Sequence, residues 1–455
     1  MAEVVAELAD EDYRLDVLSR SGDERAAVRA VFDWSYRRLA AEHARVFRLL
    51  GLHPGHEFGV HVAAATAGLD LPEARRVLEL LAEAHLVERA AMRGRYRFHD
   101  LLRAYAAGRA EREDTPADRE DARQRLLKWY ACHAKTAYEV LYRAHRDWYP
   151  SLSLTVQAHP EISITGRQGA WGWFDLEREN LVAAVRVADR YGHTPLVFLL
   201  AVTTAMVLNR RGRWDDLFDV HRRALAAARR SGDRITETEV LLNLAESYDS
   251  ANQWQNAHDT YRAARELARG CGDEWREAVA LNGLGVMYAQ VGQYATAREH
   301  LVEALPLVPG AQHGRMEAVI ESNLGVVCVG QGAYRQALHH VRRSLALRRQ
   351  AQDREGEAHV LHIMALAHQG IGDRPKAIEL CEQALAIKEH DRSPRDTAAI
   401  LVTIGDLLRD TVTARAVQCW REALRIYDDF GDRRAPDVRQ RLQGVEVSSD
   451  TPSST

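Results

Sequence analysis

A repeat of forty residues constrains the fold of this chain more than any other feature of its sequence. The segments around Leu244, Leu284 and Leu324 align without gaps, and alanine recurs at the matching positions 257, 297 and 337. Extending the frame in both directions gives six units, the first around Trp214 and the last around Gly405. Self-similarity at a fixed interval of this length is typical of stacked repeat architectures.

Each unit predicts a pair of amphipathic helices. Apolar residues recur at helical spacing in two runs, with a small residue in the first run and an alanine in the second where the helices cross. Because one hairpin cannot bury its apolar face alone, the units must stack on one another. In the first five hairpins a glycine or asparagine supplies the turn, namely Gly212, Asn252, Gly292, Gly332 and Gly372.

This pattern resembles the tetratricopeptide repeat (TPR) in its forty-residue form. The resemblance implies an all-α fold in which about six helical hairpins form a right-handed solenoid, with a concave surface built from the first helix of each hairpin. It also implies a binding protein, because solenoids of this kind seldom catalyse reactions. We therefore expect a peptide, protein or small effector as the ligand of the concave groove.

Polar side chains predicted on the concave side are candidates for ligand binding. Amide groups there would hold a peptide backbone through paired hydrogen bonds, as in peptide-sensing TPR proteins. The alternative is that the asparagines cap helices or face water. The predicted ligand-binding residues, interleaved with Val286, Val326 and Leu366, are Asn243, Asn282, Asn323, His359 and His362.

The N-terminal third departs from the repeat. Residues 26–110 predict helices followed by a β-hairpin with Gly94 in its turn, an order typical of a winged-helix domain. The helix before the hairpin carries three glutamates, which disfavours direct DNA binding because carboxylates repel phosphates. The hairpin arginines that are candidate contacts with DNA or a partner protein are Arg89, Arg93, Arg95 and Arg97.

Several segments resemble the winged-helix part of the NB-ARC signalling ATPases of bacterial transcription regulators of the antibiotic-regulatory-protein (SARP) type. The matching segments are AVRAVFDWSYRRL, RVFRLLGLHPG, LLAEAHLVE and YRFHDLLRAYA, and WFDLERENLVAAVRVA resembles the connection to the TPR array. In that family a His-Asp motif meets the β-phosphate of bound ADP, which implies a nucleotide-sensor motif at Phe98, His99 and Asp100. The alternative is that His99 is a structural residue at the end of the hairpin.

The sequence lacks the phosphate-binding loop that an NB-ARC protein needs. None of its four lysines follows the glycine frame GxxxxGK[ST], whose backbone N–H groups and lysine neutralise nucleotide phosphates. We therefore expect no cofactor, and binding of ADP or ATP only if a missing segment or a partner protein supplies a nucleotide-binding core.

No motif indicates catalysis or metal binding. The sequence contains no HExxH, GxSxG or CxxC, and the histidines around His53 match no zinc spacing. The net charge of −4 offers no general attraction to nucleic acid. Because no catalytic motif is present, we expect a non-enzymatic protein. There is no apolar run of about 18 residues and no signal-peptide pattern, so we also expect a cytoplasmic protein without a membrane partner.

These observations divide the chain into six segments. They are an N-terminal remnant or linker helix (1–25), a winged-helix domain (26–110), an acidic hinge (111–121), connecting helices (122–190), a TPR solenoid (191–442) and a disordered tail (443–455). The predicted function is a regulatory sensor whose TPR surface binds a ligand and signals to the winged helix in transcription regulation, with an NB-ARC or DNA-binding protein as a candidate partner. The alternative is a freestanding TPR adaptor for protein–protein interaction, without DNA or nucleotide binding.

Overall fold

Helices dominate the computed structural model, which describes residues 24–142, 154–308, 314–391, 394–429, 432 and 434–449. Over these ranges the chain forms 20 α-helices and one three-stranded sheet, and it divides into two compact units, Met1–Ala251 and Asn252–Thr455. The predicted all-α fold is confirmed. The N-terminal remnant predicted over residues 1–25 lies almost entirely outside the described residues.

The first unit contains the strands and the first ten of these helices. Its helices are α1 (Glu24–Arg37), α2 (Ala41–Leu50), α3 (Val60–Ala67), α4 (Leu71–Glu83), α5 (Asp100–Glu113), α6 (Pro116–Leu141), α7 (Gly166–Arg190), α8 (Thr194–Arg210), α9 (Trp214–Ser231) and α10 (Arg234–Ser250). Its strands are β1 (Glu57–Gly59), β2 (Glu88–Arg89) and β3 (Arg95–Arg97). The helices of the second unit are α11 (Trp254–Cys271), α12 (Glu274–Gln290), α13 (Tyr294–Ala304), α14 (Gly314–Gly330), α15 (Tyr334–Gln350), α16 (Arg354–Gly370), α17 (Arg374–Asp391), α18 (Pro394–Leu408), α19 (Thr413–Asp429) and α20 (Ala435–Ser449).

The N-terminal helices and hairpin form as the sequence predicts, with one additional strand. β2 and β3 form the antiparallel hairpin, and Gly94 in its turn has a φ of 81°. β1 pairs antiparallel with the other edge of β3, and its three residues are too few to give a strand pattern in the sequence. The ring of Phe98 packs against those of Phe47 and Phe58, each with a centroid separation of 5.7 Å, and forms the core of this region.

The segment predicted as an acidic hinge, 111–121, is mostly helical. Two residues, Asp114 and Thr115, separate the end of α5 from the start of α6. Arg48 donates two hydrogen bonds to the Asp114 carboxylate, at 2.7 and 2.8 Å, and the Thr115 hydroxyl caps α6. These bonds fix the junction, and its action as a hinge stays a prediction.

Helices α6 to α10 of the first unit stack as consecutive hairpins. Each packs against the next in sequence, and the first helices α6, α8 and α10 also contact one another in that order. The connecting helices predicted over 122–190 are α6 and α7. They therefore continue the packing of the repeat one hairpin further towards the N-terminus, with Tyr130 and Phe174 among the large side chains buried in the core of this unit.

The second unit repeats the same packing from α12 to α19. Neighbours in sequence pack together, and the first helices α12, α14, α16 and α18 contact one another in that order. Small residues permit the close crossings, since a Cβ added to Gly285 would lie 2.7 Å from Leu301 Cγ, and one added to Gly325 would overlap Val341. Together with α8–α9 of the first unit, these four pairs are five of the six predicted hairpins, and the helices predicted for the sixth are α10 and α11. Each predicted turn residue has a positive φ.

The C-terminal segment is helical further than the sequence predicts. α20 extends to Ser449, so the prediction of a disordered tail is wrong for residues 443–449, and residues 450–455 lie outside the described part. Val438 is buried, and Arg441 donates to the Asp406 carboxylate of α18 at 2.8 and 3.2 Å. The composition of the last eleven residues gave no sign of this helix, because the side chains that anchor it precede them.

Candidate ligand-binding surface

The candidate surface lies on the first helices of the second unit. α12, α14, α16 and α18 are successive neighbours, and two hydrogen bonds join residues 41 positions apart on adjacent members of this series. One bond connects α12 to α14, and the other connects α16 to α18. The residues that form them are Asn282 with Asn323, and His362 with Thr403.

Asn282 and Asn323 are brought together by the stacking of α12 on α14. The Asn323 side-chain amide donates to Oδ1 of Asn282 at 2.8 Å, and both residues are half-buried. Within the described part of the chain, the Asn282 amide N–H groups have no hydrogen-bond partner, so they are available as donors to a ligand. Neither asparagine caps a helix. Their role in ligand binding stays a prediction.

His362 is oriented by Thr403, whereas His359 on the same helix is exposed. The Thr403 hydroxyl donates to the Ala399 carbonyl at 3.1 Å and lies 2.8 Å from His362 Nε2. Because this hydroxyl proton is already used, the imidazole donates from Nε2 and keeps Nδ1 as an acceptor. Burial lowers the pKa of His362 to about 4, so the ring is neutral at neutral pH.

An apolar row accompanies these polar groups. Val286, Val326 and Leu366 occupy the same position in three successive repeats, one helical turn beyond the position that Asn282 and His362 share. Val326 is 37% exposed and the other two are half-buried. The surface therefore offers a hydrogen-bond donor, an acceptor and apolar contacts, which is a composition suited to a peptide.

Asn243 of the first unit makes a different contact. Its amide donates at 3.0 Å to the backbone carbonyl of Glu239, one turn earlier in α10. It shares a repeat position with Asn323, and the repeat between them has Gly283, where a Cβ would overlap the ring of Tyr261. The three asparagines therefore come from two adjacent positions of the repeat and not from one shared position.

The hairpin arginines do not form an open basic surface. Arg89 pairs with the half-buried Glu79 of α4, and Arg97 pairs with the exposed Glu88 of β2. Arg95 is 7% exposed, and the buried carboxylate of Glu177 binds its guanidinium, so the prediction that Arg95 contacts DNA or a partner is wrong. A buried carboxylate needs a paired cation, which draws this arginine inward. Arg93 is exposed and stays a candidate contact together with Arg89 and Arg97.

Phe98, His99 and Asp100 connect β3 to α5. Phe98 belongs to the aromatic core, whereas His99 and Asp100 are exposed. His99 caps α5, because its Nδ1 accepts from the Leu101 N–H at 3.4 Å, and the Asp100 carboxylate lies 3.0 Å from His56 Nδ1. These contacts fit the structural alternative for His99. The nucleotide-sensor role of the motif stays a prediction.

A buried polar cluster around Glu177 of α7 is absent from the sequence-based predictions. Its carboxylate binds Arg95 of β3 and accepts from the Asn180 amide at 2.5 Å and from the Tyr130 hydroxyl of α6 at 3.4 Å. The Tyr130 hydroxyl also lies 2.8 Å from His53 Nε2. Burial lowers the pKa of His53 to about 3 and raises that of Tyr130 well above its ordinary value.

This cluster joins β3, α6 and α7 within the first unit. A sequence signal for it exists, because Glu177 and Asn180 lie three residues apart on the face of α7 that also carries the buried Phe174. Polar residues on a buried face require polar partners. Which partners they meet depends on the folding of distant segments and does not follow from spacing along the helix.

The described residues contain no group of three or more histidine, cysteine, aspartate or glutamate side chains placed to hold a metal ion. The five cysteines are free thiols. Of the helices that the structure describes, none is both long enough and apolar enough to cross a membrane.

Sequence profiles described as tetratricopeptide repeat match residues 198–270, 276–350 and 360–395. The regulatory protein AfsR of Streptomyces griseus is 38% identical over 192 residues, which are 42% of this chain and 19% of that protein. AfsR of Streptomyces coelicolor is 40% identical over 191 residues, 40% of this chain and 18% of that protein. The similarity thus spans about a fifth of the length of these relatives.

Two solved structures that match this chain have low sequence identity and TM-scores below 0.5. A Signal Transduction ATPase with Numerous Domains (STAND) protein with a tetratricopeptide repeat sensor from Pyrococcus horikoshii is 12% identical, with a TM-score of 0.43, covering 91% of this chain and 65% of that one. A Rap protein complexed with Competence and Sporulation Factor is 13% identical, with a TM-score of 0.43, covering 71% of this chain and 98% of that one.

Proposed function

We propose that this chain is the ligand-sensing, non-enzymatic part of a cytoplasmic regulatory protein. In this proposal the surface formed by α12, α14 and α16 binds an extended peptide or protein segment. The identity with AfsR over about 40% of the chain supports a regulatory role, and the tetratricopeptide-repeat profiles support protein–protein interaction. The observation that carries the binding proposal is the hydrogen bond from Asn323 to Asn282, which leaves the Asn282 amide oriented and available.

The distance between Asn282 and His362 gives the length of the proposed peptide segment. Asn282 offers a donor and His362 an acceptor at the same repeat position, two hairpins apart. Packed helices lie about 8–10 Å apart, so the two groups are separated by about 16–20 Å. An extended chain rises about 3.3 Å per residue. A ligand of about six residues would therefore place one backbone carbonyl at Asn282 and one backbone N–H at His362.

The proposed signal passes from the occupied surface to the N-terminal helices and their partners in transcription regulation. Such transmission requires that the ligand bind two arrangements of the protein with unequal affinity. We propose no cofactor for the chain itself, with ADP or ATP binding only through a nucleotide-binding core supplied by another segment or by an NB-ARC partner.

A second candidate function is a freestanding TPR adaptor that acts without DNA or nucleotide. The hairpin arginines favour it, because Arg89 and Arg97 are paired with glutamates and Arg95 is buried. A surface whose cations are already neutralised attracts DNA phosphates weakly. The two functions share the same ligand surface and differ in whether binding changes the affinity for a DNA-binding or NB-ARC partner.

The test is selection from a library of random eight-residue peptides on the immobilised full chain, followed by fluorescence anisotropy of the enriched peptides. We expect Asn282→Ala and Asn323→Ala each to weaken binding about fivefold, as expected for the loss of one hydrogen bond. Asn256→Ala is the matched control, because Asn256 is exposed on the second helix α11 and bonds to Gln253 of its own turn.

Equal affinity of the wild type and the Asn282→Ala/Asn323→Ala double variant would exclude this surface as the binding site. A DNA mobility shift over a range of salt concentrations, with and without the selected peptide and an NB-ARC partner, separates the two functions. A peptide-dependent change supports the regulator, whereas peptide binding without any such change supports the adaptor.

A further inference from the structure

A cavity of about 660 Å³ lies in the first unit between α6, the start of α8 and the extended segment 154–157. Its walls are largely apolar, with Leu154, Val156 and Leu196 among them. Polar side chains also line it, including Gln124, Lys128 and His193. Its volume is within the range of about 300–1,000 Å³ that is usual for small-molecule sites in proteins.

The extended wall of this cavity is held in place by side chains of α6. Lys135 Nζ donates to the Leu154 carbonyl at 2.8 Å, and Trp129 Nε1 donates to the Pro160 carbonyl at 2.9 Å. The Ile162 N–H donates to His133 Nε2 at 3.1 Å. These three bonds fix backbone atoms that no helix or strand holds. They therefore hold the extended segment beside α6 on one side of the cavity.

Lys128 gives the cavity an uncompensated positive charge. Over the ranges that the structure describes, its ammonium group has no ion-pair or hydrogen-bond partner. Of the other polar groups in the wall, Gln124 donates to the Glu120 carboxylate at 3.4 Å, and His193 Nε2 lies 3.0 Å from the same carboxylate. Lysine is rare in this chain, four residues among 61 basic ones, and two of the four are Lys128 and Lys135 at this site.

We propose that this cavity binds a small molecule that carries one anionic group on an apolar body. The anionic group lies against the Lys128 ammonium, and the apolar body lies against Leu154, Val156 and Leu196. One free cation matches one negative charge, and the remaining wall has no further cation to offer a polyanion such as a nucleotide. This site is independent of the peptide surface proposed for the second unit, because it shares no residue with it.

The test uses two defined probes, decanoate and 1-naphthoate, with decan-1-ol as the uncharged counterpart of decanoate. Isothermal titration calorimetry of the full chain, below micelle-forming concentrations, should give saturable binding with one site for at least one of the two anions. We expect Lys128→Met to weaken that binding at least about tenfold, because a charge-assisted hydrogen bond is lost, and Lys128→Arg to retain it. Decan-1-ol should bind more weakly than decanoate to the wild type.

Lys376→Met is the matched control, because Lys376 is an exposed lysine of the second unit that pairs with Glu379. A second variant, Val156→Trp, fills the cavity while keeping the charge, and should abolish binding, with circular dichroism melting as the check that it folds. The proposal is overturned if neither anion binds saturably, or if binding survives both Lys128→Met and Val156→Trp. Loss of peptide selection by Asn282→Ala leaves these outcomes unaffected, so the two proposals fail separately.

Discussion

His53 shows how burial determines the chemistry of a single side chain. Its Nε2 lies 2.8 Å from the Tyr130 hydroxyl and its Nδ1 accepts from the Gly55 N–H at 3.1 Å. Burial lowers its pKa to about 3, so the folded protein holds the neutral ring. The histidines around His53 in the sequence suggest a metal site as one alternative, although they match no zinc spacing. The structure uses both ring nitrogens in hydrogen bonds instead.

Acidification should destabilise the first unit through His53. The unfolded chain has an ordinary histidine pKa near 6.5, so below that pH it binds a proton that the folded chain does not. The free energy of unfolding then falls by about 1.4 kcal/mol per pH unit as the pH drops from about 6.5 towards 3. Urea denaturation of the wild type and of His53→Gln between pH 7 and 5 gives the free energy of unfolding at each pH. The contribution of His53 is the difference between the two proteins in the slope of this free energy against pH. Equal slopes would show that the pKa of His53 is the same in the folded and the unfolded protein.

The candidate binding residues show which features of the surface follow from the sequence and which do not. The repeat places Asn282, Asn323 and His362 on first helices, and this follows from helical periodicity alone. Their pairing at an offset of 41 residues, and the contact of His362 with Thr403, depend on how far one helix is shifted along its neighbour. That shift arises from side-chain packing along the whole interface, so a period of forty does not determine it.

The helices of each hairpin cross closely because small residues lie at the crossing points. Replacing glycine by alanine should therefore destabilise the protein at a crossing point and stabilise it elsewhere on a helix. Gly325→Ala should lower the free energy of unfolding by about 1–3 kcal/mol, because the new Cβ would overlap Val341. Gly270→Ala in α11 should raise the free energy of unfolding by up to about 1 kcal/mol, because alanine favours helix. The added Cβ would have no heavy atom of the described residues within 4 Å apart from the backbone of its own helix and its chain neighbours. Guanidinium denaturation of both variants tests the pair. Stabilisation by both substitutions would contradict the packing of α14 on α15.

The attachment of β3 to α7 should depend on the pair of Arg95 and Glu177. Glu177→Leu removes the buried carboxylate and leaves the guanidinium in a buried site with Glu57 as its remaining partner, which should cost about 3 kcal/mol. The double variant Arg95→Met/Glu177→Leu should recover much of that loss, since two apolar residues of similar size replace both charges. Thermal unfolding of the two single variants and the double variant gives the coupling energy. Additive losses would show that the two side chains act independently.

Helices were easier to predict than the connections between them. The turns at Gly292 and Gly332 follow from local backbone preferences, and the structure has positive φ at both. Neither the strand β1 nor the segment 154–165, which includes the cavity wall 154–157, has a periodic pattern. Distant partners hold them, namely β3 for β1 and the side chains of α6 for the segment. Elements that are fixed by tertiary contacts have no periodic pattern in their own sequence from which they could be predicted.

The division of the molecule into two units predicts that the second unit folds by itself. Stability in helical repeats comes from each hairpin and its nearest neighbours, so a sufficient run of hairpins needs no distant segment. Residues 252–455 contain two clusters of buried apolar side chains among their described residues, which include Trp420 and Tyr427. A fragment with these residues should be helical by far-UV circular dichroism and should unfold cooperatively on heating.

A shorter fragment, 274–455, provides the control for this prediction. It lacks α11, whose buried side chains Ala257, Tyr261 and Ala264 belong to the packing against α12. Loss of this cover exposes the apolar face of α12 to water, and each kcal/mol lost lowers the midpoint of a chain of this size by about 2–4 °C. We therefore expect the shorter fragment to melt at least about 10 °C below the longer one. If the longer fragment shows no cooperative transition, the two units depend on each other for folding, and the stability of the repeats is shared along the whole chain.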